Sequence, residues 1–258
     1  MLSHLLSLLS DHPWCRQIHY LPSVDSTNTF AKQLAFQGAP EGTVVIAGQQ
    51  TGGRGRMGRS FCSPAGMGIY MSVILRPNCP PEELMHLTCA AAVAACNAIG
   101  PLPRIKWTND LVINRKKLGG ILTELSVDPS SGMVQWAIIG IGINCCLQSW
   151  QFPPQLRDIA CSLEMDPQKM PDLIAGLIRE LYSMRATLFT EKAQIMKNYC
   201  DKCVTIGQEI SVVRGDTVQH ALAIGVDENG GLQVRYSDGS TAIVTSGEVS
   251  IRGMYGYV

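Results

Sequence analysis

Apolar residues recur along this chain at spacings that predict four helices. Leucines within residues 2–9 lie three and four positions apart, as on one face of an amphipathic helix. Residues 26–38 begin with helix-capping side chains and end at a glycine, which indicates a capped helix. Residues 82–99 are Ala-rich and follow two prolines, and residues 171–199 carry leucines near one face.

Short apolar runs predict the strands of a sheet. Residues 44–49 are β-branched in part, and residues 69–75 form a second apolar run. Residues 105–113 and 117–125 predict two strands joined by a polar turn. Residues 136–143 are apolar throughout, which is typical of a strand buried on both faces. Together with the helices, these strands predict one main domain.

The pattern changes near residue 205. Beyond this point short β-type runs are separated by turns at residues 214–216, 228–231 and 237–239. We therefore expect a main domain of residues 1–205 and a small all-β module of residues 206–258.

The composition excludes several classes of protein. Of the 258 residues, 46% are apolar and 16% are charged, and the formal net charge is zero. Binding to nucleic acid or to a membrane surface without specificity needs a positive excess, which the chain lacks. No apolar run reaches the roughly 18 residues that a membrane span needs. The ten scattered cysteines indicate reduced thiols in a cytoplasmic protein rather than a disulfide framework.

The most informative stretch is T-G-G-R-G-R-M-G-R-S at residues 51–60. It holds four glycines, three arginines and no acidic residue. Glycines let the backbone approach a ligand closely, and consecutive amides can bind an anion. Arginines supply permanent charge and forked donors that suit phosphate. The stretch predicts a loop that folds over a phosphorylated ligand. The alternative is a flexible or RNA-binding segment, and the pattern of a P-loop is absent.

Two motifs lie on the predicted hairpin. They are K-W-T-N-D at residues 106–110 and K-L-G-G-I at residues 117–121. Pairing of the two strands brings Lys117 near Asp110, and the glycines leave room for a ligand along the strand. The alternative is a solvated turn followed by a β-bulge.

Two further motifs combine polar residues with backbone features. G-I-G-I-N at residues 140–144 puts two glycines in a buried strand, where either a ligand or a packed element must approach the backbone. D-S-T-N at residues 25–28 is a helix N-cap whose hydroxyls and free amides also suit a small polar group.

In their order and spacing these motifs resemble those of the biotin–protein ligase family, and the glycine–arginine loop is the most specific of them. The resemblance covers the chain up to about residue 200 and continues less specifically beyond it. It implies an α+β fold, with a mixed β-sheet catalytic domain of the class II synthetase and biotin–lipoyl ligase type. Helices pack on one face of that sheet, and a small C-terminal SH3-like β-barrel follows.

The resemblance also implies an activity. Such a ligase activates biotin with ATP and Mg²⁺ to biotinyl-5'-AMP and pyrophosphate. It then transfers biotin to a lysine of a biotin carboxyl carrier protein, a part of acetyl-CoA carboxylase or another biotin-dependent carboxylase. Two alternatives stay open, a lipoate–protein ligase and a non-catalytic module that binds biotin or a nucleotide.

The matching positions imply three sets of site residues, and no metal ligand is assigned with certainty. The catalytic set is Arg56, Lys117 and Asp110. The biotin-binding set is Ser26, Thr27, Asn28, Gln50, Gly53, Arg54 and Gly120. The ATP-binding set is Arg56, Arg59, Phe61, Lys117 and Asn144.

The chain departs from the family in three respects. Thr108 stands where proline is common, a change that we expect to be tolerated. Phe61 stands where tryptophan is frequent, so we expect weaker stacking on adenine. Some members carry an N-terminal DNA-binding domain, and the segment before Ser26 is too short for one. We therefore expect no nucleic-acid partner and no membrane partner, and a monomer or a homodimer.

Overall fold

A central sheet of seven strands organises the first 205 residues. The computed structural model describes residues 1–245 and, for the backbone alone, residues 250–253. The strands are β1 (Ile18–Leu21), β2 (Val44–Ala47), β3 (Gly68–Leu75), β4 (Arg104–Lys106), β5 (Asp110–Ile113), β6 (Lys116–Val127) and β7 (Val134–Asn144). Their order is β1-β2-β3-β7-β6-β5-β4. Only the β1–β2 pair is parallel among these strands, so the sheet is mixed as expected.

Helices cover both faces of this sheet. They are α1 (Leu2–Leu8), α2 (Thr27–Phe36), α3 (Leu87–Ile99), α4 (Met170–Thr187) and α5 (Lys192–Lys202). The main core joins α1, α3, α4 and α5 to one face of the sheet. On the opposite face α2 packs Ala31 and Ala35 against Val45, Ile74 and Ile138. The expectation of helices on one face is therefore wrong for α2, because the central strands present apolar side chains on both faces.

The segment predicted as one strand over residues 105–113 forms two strands, β4 and β5, with a turn between them. In this turn the backbone N–H of Trp107 donates to Thr205 Oγ1 at 2.9 Å. The Tyr199 hydroxyl donates to the Thr108 carbonyl oxygen at 3.0 Å. Because these backbone groups bond to distant residues rather than to a neighbouring strand, the prediction of a continuous strand is wrong.

Two predicted helices are also interrupted. A 3₁₀ turn at Pro81–Leu84 precedes α3, so the helix predicted over residues 82–99 begins at Leu87. The segment predicted over residues 171–199 divides into α4 and α5. In that break the backbone N–H groups of Thr190 and Glu191 both donate to the Thr187 carbonyl oxygen, which closes α4 and restarts the chain in a new direction.

The C-terminal module is an antiparallel sheet. Its strands are β8 (Glu209–Arg214), β9 (Thr217–Val226), β10 (Leu232–Tyr236), β11 (Thr241–Val244) and β12 (Ser250–Gly253). They lie in the order β11-β10-β9-β8-β12, with all pairs antiparallel. This arrangement fits the expected SH3-like barrel. The predicted module extends to Val258, and its residues 246–249 and 254–258 lie outside the described part.

All ten cysteines are free thiols. Burial raises the pKa of several of them, Cys96 to about 11 and Cys145 to about 12, which keeps these thiols protonated.

Over the residues that the structure describes, no helix combines the length and the apolar character required to cross a bilayer.

Candidate active site

A cavity of about 480 Å³ opens on the face of the sheet that carries α2. Five parts of the chain bound it: the start of α2, the glycine–arginine loop, the β4–β5 turn, β6 and β7. All of the predicted motifs contribute lining residues to it. The topology helps to bring them together, because β7 lies beside β6 at the centre of the sheet and β6 lies beside β5.

The first turn of α2 closes one end of the cavity with buried polar groups. Ser26 caps the helix, and its side chain accepts from the Thr29 N–H at 3.5 Å. The Thr27 backbone N–H donates to Gln50 Oε1 at 2.9 Å, and Gln50 Nε2 donates to Ser63 Oγ at 2.9 Å. Hydroxyl groups and oriented amide side chains thus surround a small, polar and uncharged end of the cavity.

The glycine–arginine loop lies between β2 and β3 and folds back on itself. The Gly55 N–H donates to the Arg59 carbonyl oxygen at 2.7 Å, and the Phe61 N–H donates to the Gly53 carbonyl oxygen at 2.9 Å. A Cβ at Gly53 would lie 2.4 Å from the Phe61 carbonyl oxygen. Met57, at φ 55°, takes the left-handed conformation at the tip. Gly53 therefore permits the fold of the loop itself.

The loop directs its arginines to different neighbours. Arg56 donates to Asn109 Oδ1 at 2.9 Å, which ties the loop to the β4–β5 turn. Arg54 lies 3.7 Å from Glu124 Oε1 on β6. Burial lowers the pKa of the Arg56 guanidinium, and the nearby Asp110 carboxylate opposes this effect. Arg59 lines the cavity as well. The loop thus concentrates positive charge at one end of the cavity.

Lys117 and Asp110 meet across the β5–β6 pair, as the hairpin predicts. Their Nζ and Oδ1 atoms are 2.6 Å apart, and both side chains are partly exposed to the cavity. The strands shift register between Leu111 and Val112, so a bulge is present too. Gly120 lies opposite Asp110 in this pairing and lines the cavity beside it.

Two glycines of β7 are approached by side chains of the chain itself. A Cβ at Gly140 would lie 2.1 Å from Asn28 Oδ1, and a Cβ at Gly142 would lie 2.6 Å from Phe61 Cε1. Close packing is therefore the immediate reason for both glycines. The packed side chains, Asn28 and Phe61, are themselves predicted site residues and line the cavity.

Two predicted residues do not line the cavity. Gly53 is buried within the loop, against Phe61 and Ser63. Asn144 ends β7, is 6% exposed, and donates through Nδ2 to the Cys161 carbonyl oxygen at 3.0 Å. Its predicted contact with adenine stays a prediction. The remaining predicted residues all line the cavity.

Comparison with known proteins identifies the family. Residues 20–144 match the Biotin/lipoate A/B protein ligase family, and residues 205–252 match the Biotin protein ligase C terminal domain. The bifunctional ligase/repressor BirA of Bacillus spizizenii is 38% identical over 239 residues, which cover 88% of this chain and 72% of that protein. The chain belongs to the biotin protein ligase family.

Other relatives agree with this assignment. The biotin–[acetyl-CoA-carboxylase] ligase of Paracoccus denitrificans is 30% identical over 236 residues, which cover 86% of this chain and 96% of that protein. The solved biotin protein ligase of Aquifex aeolicus in complex with biotin and ATP aligns with a TM-score of 0.75 and 26% identity. The alignment covers 92% of this chain and 99% of that one. The predicted fold class of this ligase is confirmed.

Some residues of this ligase's cavity were assigned no role from sequence. Lys106 and Asn109 line it and belong to a motif that was recognised. Glu124, which bonds to a lining residue without lining the cavity itself, was missed altogether. Its carboxylate accepts from Asn28 Nδ2 at 2.8 Å and pairs with Lys32 Nζ at 2.5 Å. These partners lie more than ninety positions apart in sequence, so only the alternation of β6 could have indicated that Glu124 shares a face with the cavity.

Proposed function

We propose that this chain is a biotin–protein ligase. It condenses biotin with ATP to biotinyl-5'-AMP and pyrophosphate, and it then transfers biotin to a lysine of a biotin carboxyl carrier protein. The observation that carries the proposal is the convergence on one cavity of the glycine–arginine loop, the Lys117–Asp110 pair and the polar first turn of α2. Family membership and the relatives named above support the same activity.

The uncharged end of the cavity suits the bicyclic ring of biotin. Ser26, Thr27 and Gln50 supply hydroxyl and amide groups there. Asn28 completes this end, and the backbone at Arg54 and Gly120 closes over the ring from the side of the charged groups, while Gly53 lets the loop fold there. A ligand that fills such a site without hydrogen-bonding it would leave buried polar groups unpaired, so the site favours a urea-like ring over a purely apolar one.

The charged end suits the reacting groups. Biotin carboxylate and the α-phosphate of ATP are both anionic, so their approach needs compensating positive charge. Arg56 and Lys117 supply it in fixed positions and Arg59 adds to it, which stabilises charge that develops as the carboxylate oxygen attacks phosphorus and pyrophosphate leaves. Asp110 holds Lys117 by a charge-assisted hydrogen bond and assists the incoming lysine.

The remaining ATP contacts are assigned to aromatic and amide groups. Phe61 stacks on adenine, more weakly than tryptophan would, and Asn144 contacts the base from the end of β7. Within the described residues no three His, Cys, Asp or Glu side chains gather to hold a metal. Mg²⁺ is usually held by one or two carboxylates and substrate phosphates, so Asp110 is the carboxylate that would hold it here, where the ion would neutralise phosphate charge.

The loop also protects the product of the first step. Biotinyl-5'-AMP is a mixed anhydride that water hydrolyses. A loop that covers it excludes water until the amine of a carrier lysine attacks the acyl carbon and AMP leaves. No nucleophile of the enzyme is required, so the free cysteines take no part in the reaction.

Several wider expectations belong to the same proposal. The catalytic domain spans residues 1–205 and the SH3-like module residues 206–258. The protein is cytoplasmic, binds no nucleic acid, and is a monomer or a homodimer. Light scattering of the purified chain distinguishes the two oligomeric states, and a mobility-shift assay with duplex DNA tests the absence of a nucleic-acid partner.

Pyrophosphate release tests the activity. The full chain is incubated with Mg-ATP and with biotin, lipoate or no acid, in the absence of carrier protein. We expect release only with biotin, together with tightly held biotinyl-5'-AMP. Release only with lipoate would assign the chain to lipoate ligation, whereas binding of biotin without any release would reduce it to a binding module.

A further inference from the structure

A chain of hydrogen bonds runs beneath the uncharged end of the cavity, from β6 to the start of the loop. It links Glu124, Asn28, Ser72, Thr27 and Gln50 in that order. Asn28 Nδ2 lies 2.8 Å from Glu124 Oε2, and Ser72 Oγ lies 2.6 Å from Asn28 Oδ1. Ser72 Oγ and Thr27 Oγ1 are 2.8 Å apart, and Thr27 Oγ1 lies 3.1 Å from Gln50 Oε1.

The side-chain amides of Asn28 and Gln50, on either side of the two hydroxyls, have fixed orientations. An ionised Glu124 can only accept, and the Leu122 carbonyl oxygen also accepts from Asn28 Nδ2, at 3.2 Å. The amide oxygen of Asn28 therefore faces Ser72. At the other end the Thr27 backbone N–H donates to Gln50 Oε1, so the oxygen of Gln50 faces Thr27.

Glu124 stays ionised in this setting. Burial by itself raises its pKa, but the hydrogen bonds from Lys32 and Asn28 outweigh this effect and leave the pKa below the usual value. The orientation of Asn28 is thus maintained throughout the neutral range.

Between the fixed ends lie two hydroxyl protons and three contacts. Asn28 Oδ1 cannot donate, so the 2.6 Å contact requires the single proton of Ser72. The 2.8 Å contact between Ser72 and Thr27 then requires the proton of Thr27. The longest contact, Thr27 Oγ1 to Gln50 Oε1, is left without a proton, and Gln50 Oε1 is satisfied by the Thr27 N–H instead.

The outcome is that the hydroxyl of Thr27 turns its proton away from the cavity that this residue lines. Its lone pairs remain to accept from a ligand N–H. We propose that Glu124 is a positioning residue for substrate recognition: through Asn28 and Ser72, it makes Thr27 an acceptor for a ring N–H of the substrate. The inference rests on the proposed function, since the two ring N–H groups of biotin supply such donors.

The packing around these hydrogen-bonded side chains leaves them little freedom to adopt other rotamers. Ser72 is fully buried, and Thr27 and Asn28 are almost so. Gly140 has no Cβ where Asn28 Oδ1 packs against β7. Turning the Ser72 proton would leave Asn28 Oδ1 without its donor, and turning the Thr27 proton toward Gln50 would leave the 2.8 Å contact between the two hydroxyls without a proton.

Two substitutions of Glu124 separate hydrogen-bond direction from charge. Glu124→Met has a similar length and no acceptor, so the Asn28 amide keeps only its longer contact with the Leu122 carbonyl oxygen and its orientation is held less firmly. We expect the KM for biotin in pyrophosphate release to rise about 10-fold, the scale of one lost hydrogen bond, with kcat within about 3-fold of wild type. Glu124→Gln keeps one oxygen for Asn28, while Lys32 can turn to solvent, so it restores the KM to within about 3-fold.

Matched controls and a ligand complete the test. Lys32→Arg keeps a cation beside Glu124 and leaves the Asn28 contact, so we expect near wild-type kinetics. Ser72→Ala removes the hydroxyl that links Asn28 to Thr27, so it should reproduce the rise in KM. This variant keeps the inference testable if the Glu124→Met protein does not fold. A biotin analogue methylated on the ring nitrogen that faces Thr27 should lose less affinity with Glu124→Met than with the wild type.

The outcomes are distinguishable from failure of the proposed function. Without biotin-dependent pyrophosphate release by the wild type, the ligase assignment itself fails. With an active wild type, an unchanged KM in both Glu124→Met and Ser72→Ala overturns the inference. So does a Glu124→Gln protein as impaired as Glu124→Met, because charge rather than hydrogen-bond direction would then be responsible.

Discussion

At the scale of single residues, replacing Arg56 is expected to have the largest effect on adenylate formation. This arginine is held by Asn109 and projects into the cavity from a loop whose backbone is internally bonded, so its charge is preorganised. Arg56→Ala should slow biotinyl-5'-AMP formation at least ~100-fold, the scale of losing one such donor. Single-turnover formation of the adenylate measures this rate. Arg214→Ala, which removes an exposed arginine of the module, is the control, and near wild-type rates for Arg56→Ala would refute the assignment.

Lys117 gives a second prediction at this scale. Its ammonium group pairs with Asp110 at the charged end of the cavity, away from the polar first turn of α2. Lys117→Ala should therefore reduce the adenylation rate much more than the affinity for biotin, which calorimetry measures separately. The neighbouring exposed Lys116, changed to Ala, should alter neither quantity. Equal losses of rate and affinity in Lys117→Ala would place this side chain in biotin binding instead.

At the scale of elements, the close approach of α2 to β7 depends on Gly140. A Cβ at this position would lie 2.1 Å from Asn28 Oδ1, and hydrogen bonds to Ser72 and Glu124 hold that side chain in place. Gly140→Ala should reduce the free energy of unfolding by about 1–3 kcal/mol, the usual cost of overpacking a core. Gly176→Ala is the matched control. Its Cβ would meet only ordinary contacts, the nearest at 3.9 Å, within α4, where alanine favours the helix.

Urea unfolding of both glycine variants decides between packing and conformation. A loss confined to Gly140→Ala supports the packing argument. Equal stabilities for the two proteins would mean that α2 moves away from β7 without cost.

The elements also show where sequence patterns succeed and where they fail. The strand over residues 136–143 and the helix over residues 26–38 were predicted within a few positions, because their signals are local: apolar character and a capping residue. The turn between β4 and β5 was missed, because its hydrogen bonds go to Thr205 and Tyr199, about a hundred positions away. No pattern within residues 105–113 encodes those partners.

The cavity follows the same division. Motifs whose chemistry is written in adjacent residues, such as the glycine–arginine loop and the Lys117–Asp110 hairpin, were found from sequence and meet in the structure. Glu124 and Ser72 were not found, because each is a single polar residue within a strand. Their role depends on contacts that form only when α2 packs against β3 and β6. What sequence supplied was most of the groups that line the cavity, and what it omitted was the buried or partly buried side chains that bond to them.

At the scale of the whole molecule, Trp107 connects the cavity to the C-terminal module. This residue lines the cavity, and its indole N–H donates to the Gly230 carbonyl oxygen at 2.9 Å in the turn before β10. Its backbone N–H donates to Thr205, where the module begins. Trp107→Phe should keep most of the apolar contact while leaving the buried Gly230 carbonyl oxygen without its partner, so the free energy of unfolding should fall by about 1–3 kcal/mol.

The same change should loosen the module from the catalytic domain rather than destabilise each part equally. Cleavage by a protease within the stretch that joins α5 to β8 should therefore accelerate, and pyrophosphate release should fall because the β4–β5 turn that holds Asn109 and Asp110 is no longer anchored. Trp150→Phe, at a tryptophan that is 68% exposed, is the matched control and should alter neither property. If Trp107→Phe behaved like Trp150→Phe in unfolding, proteolysis and activity, the module would be attached to the catalytic domain without supporting its cavity.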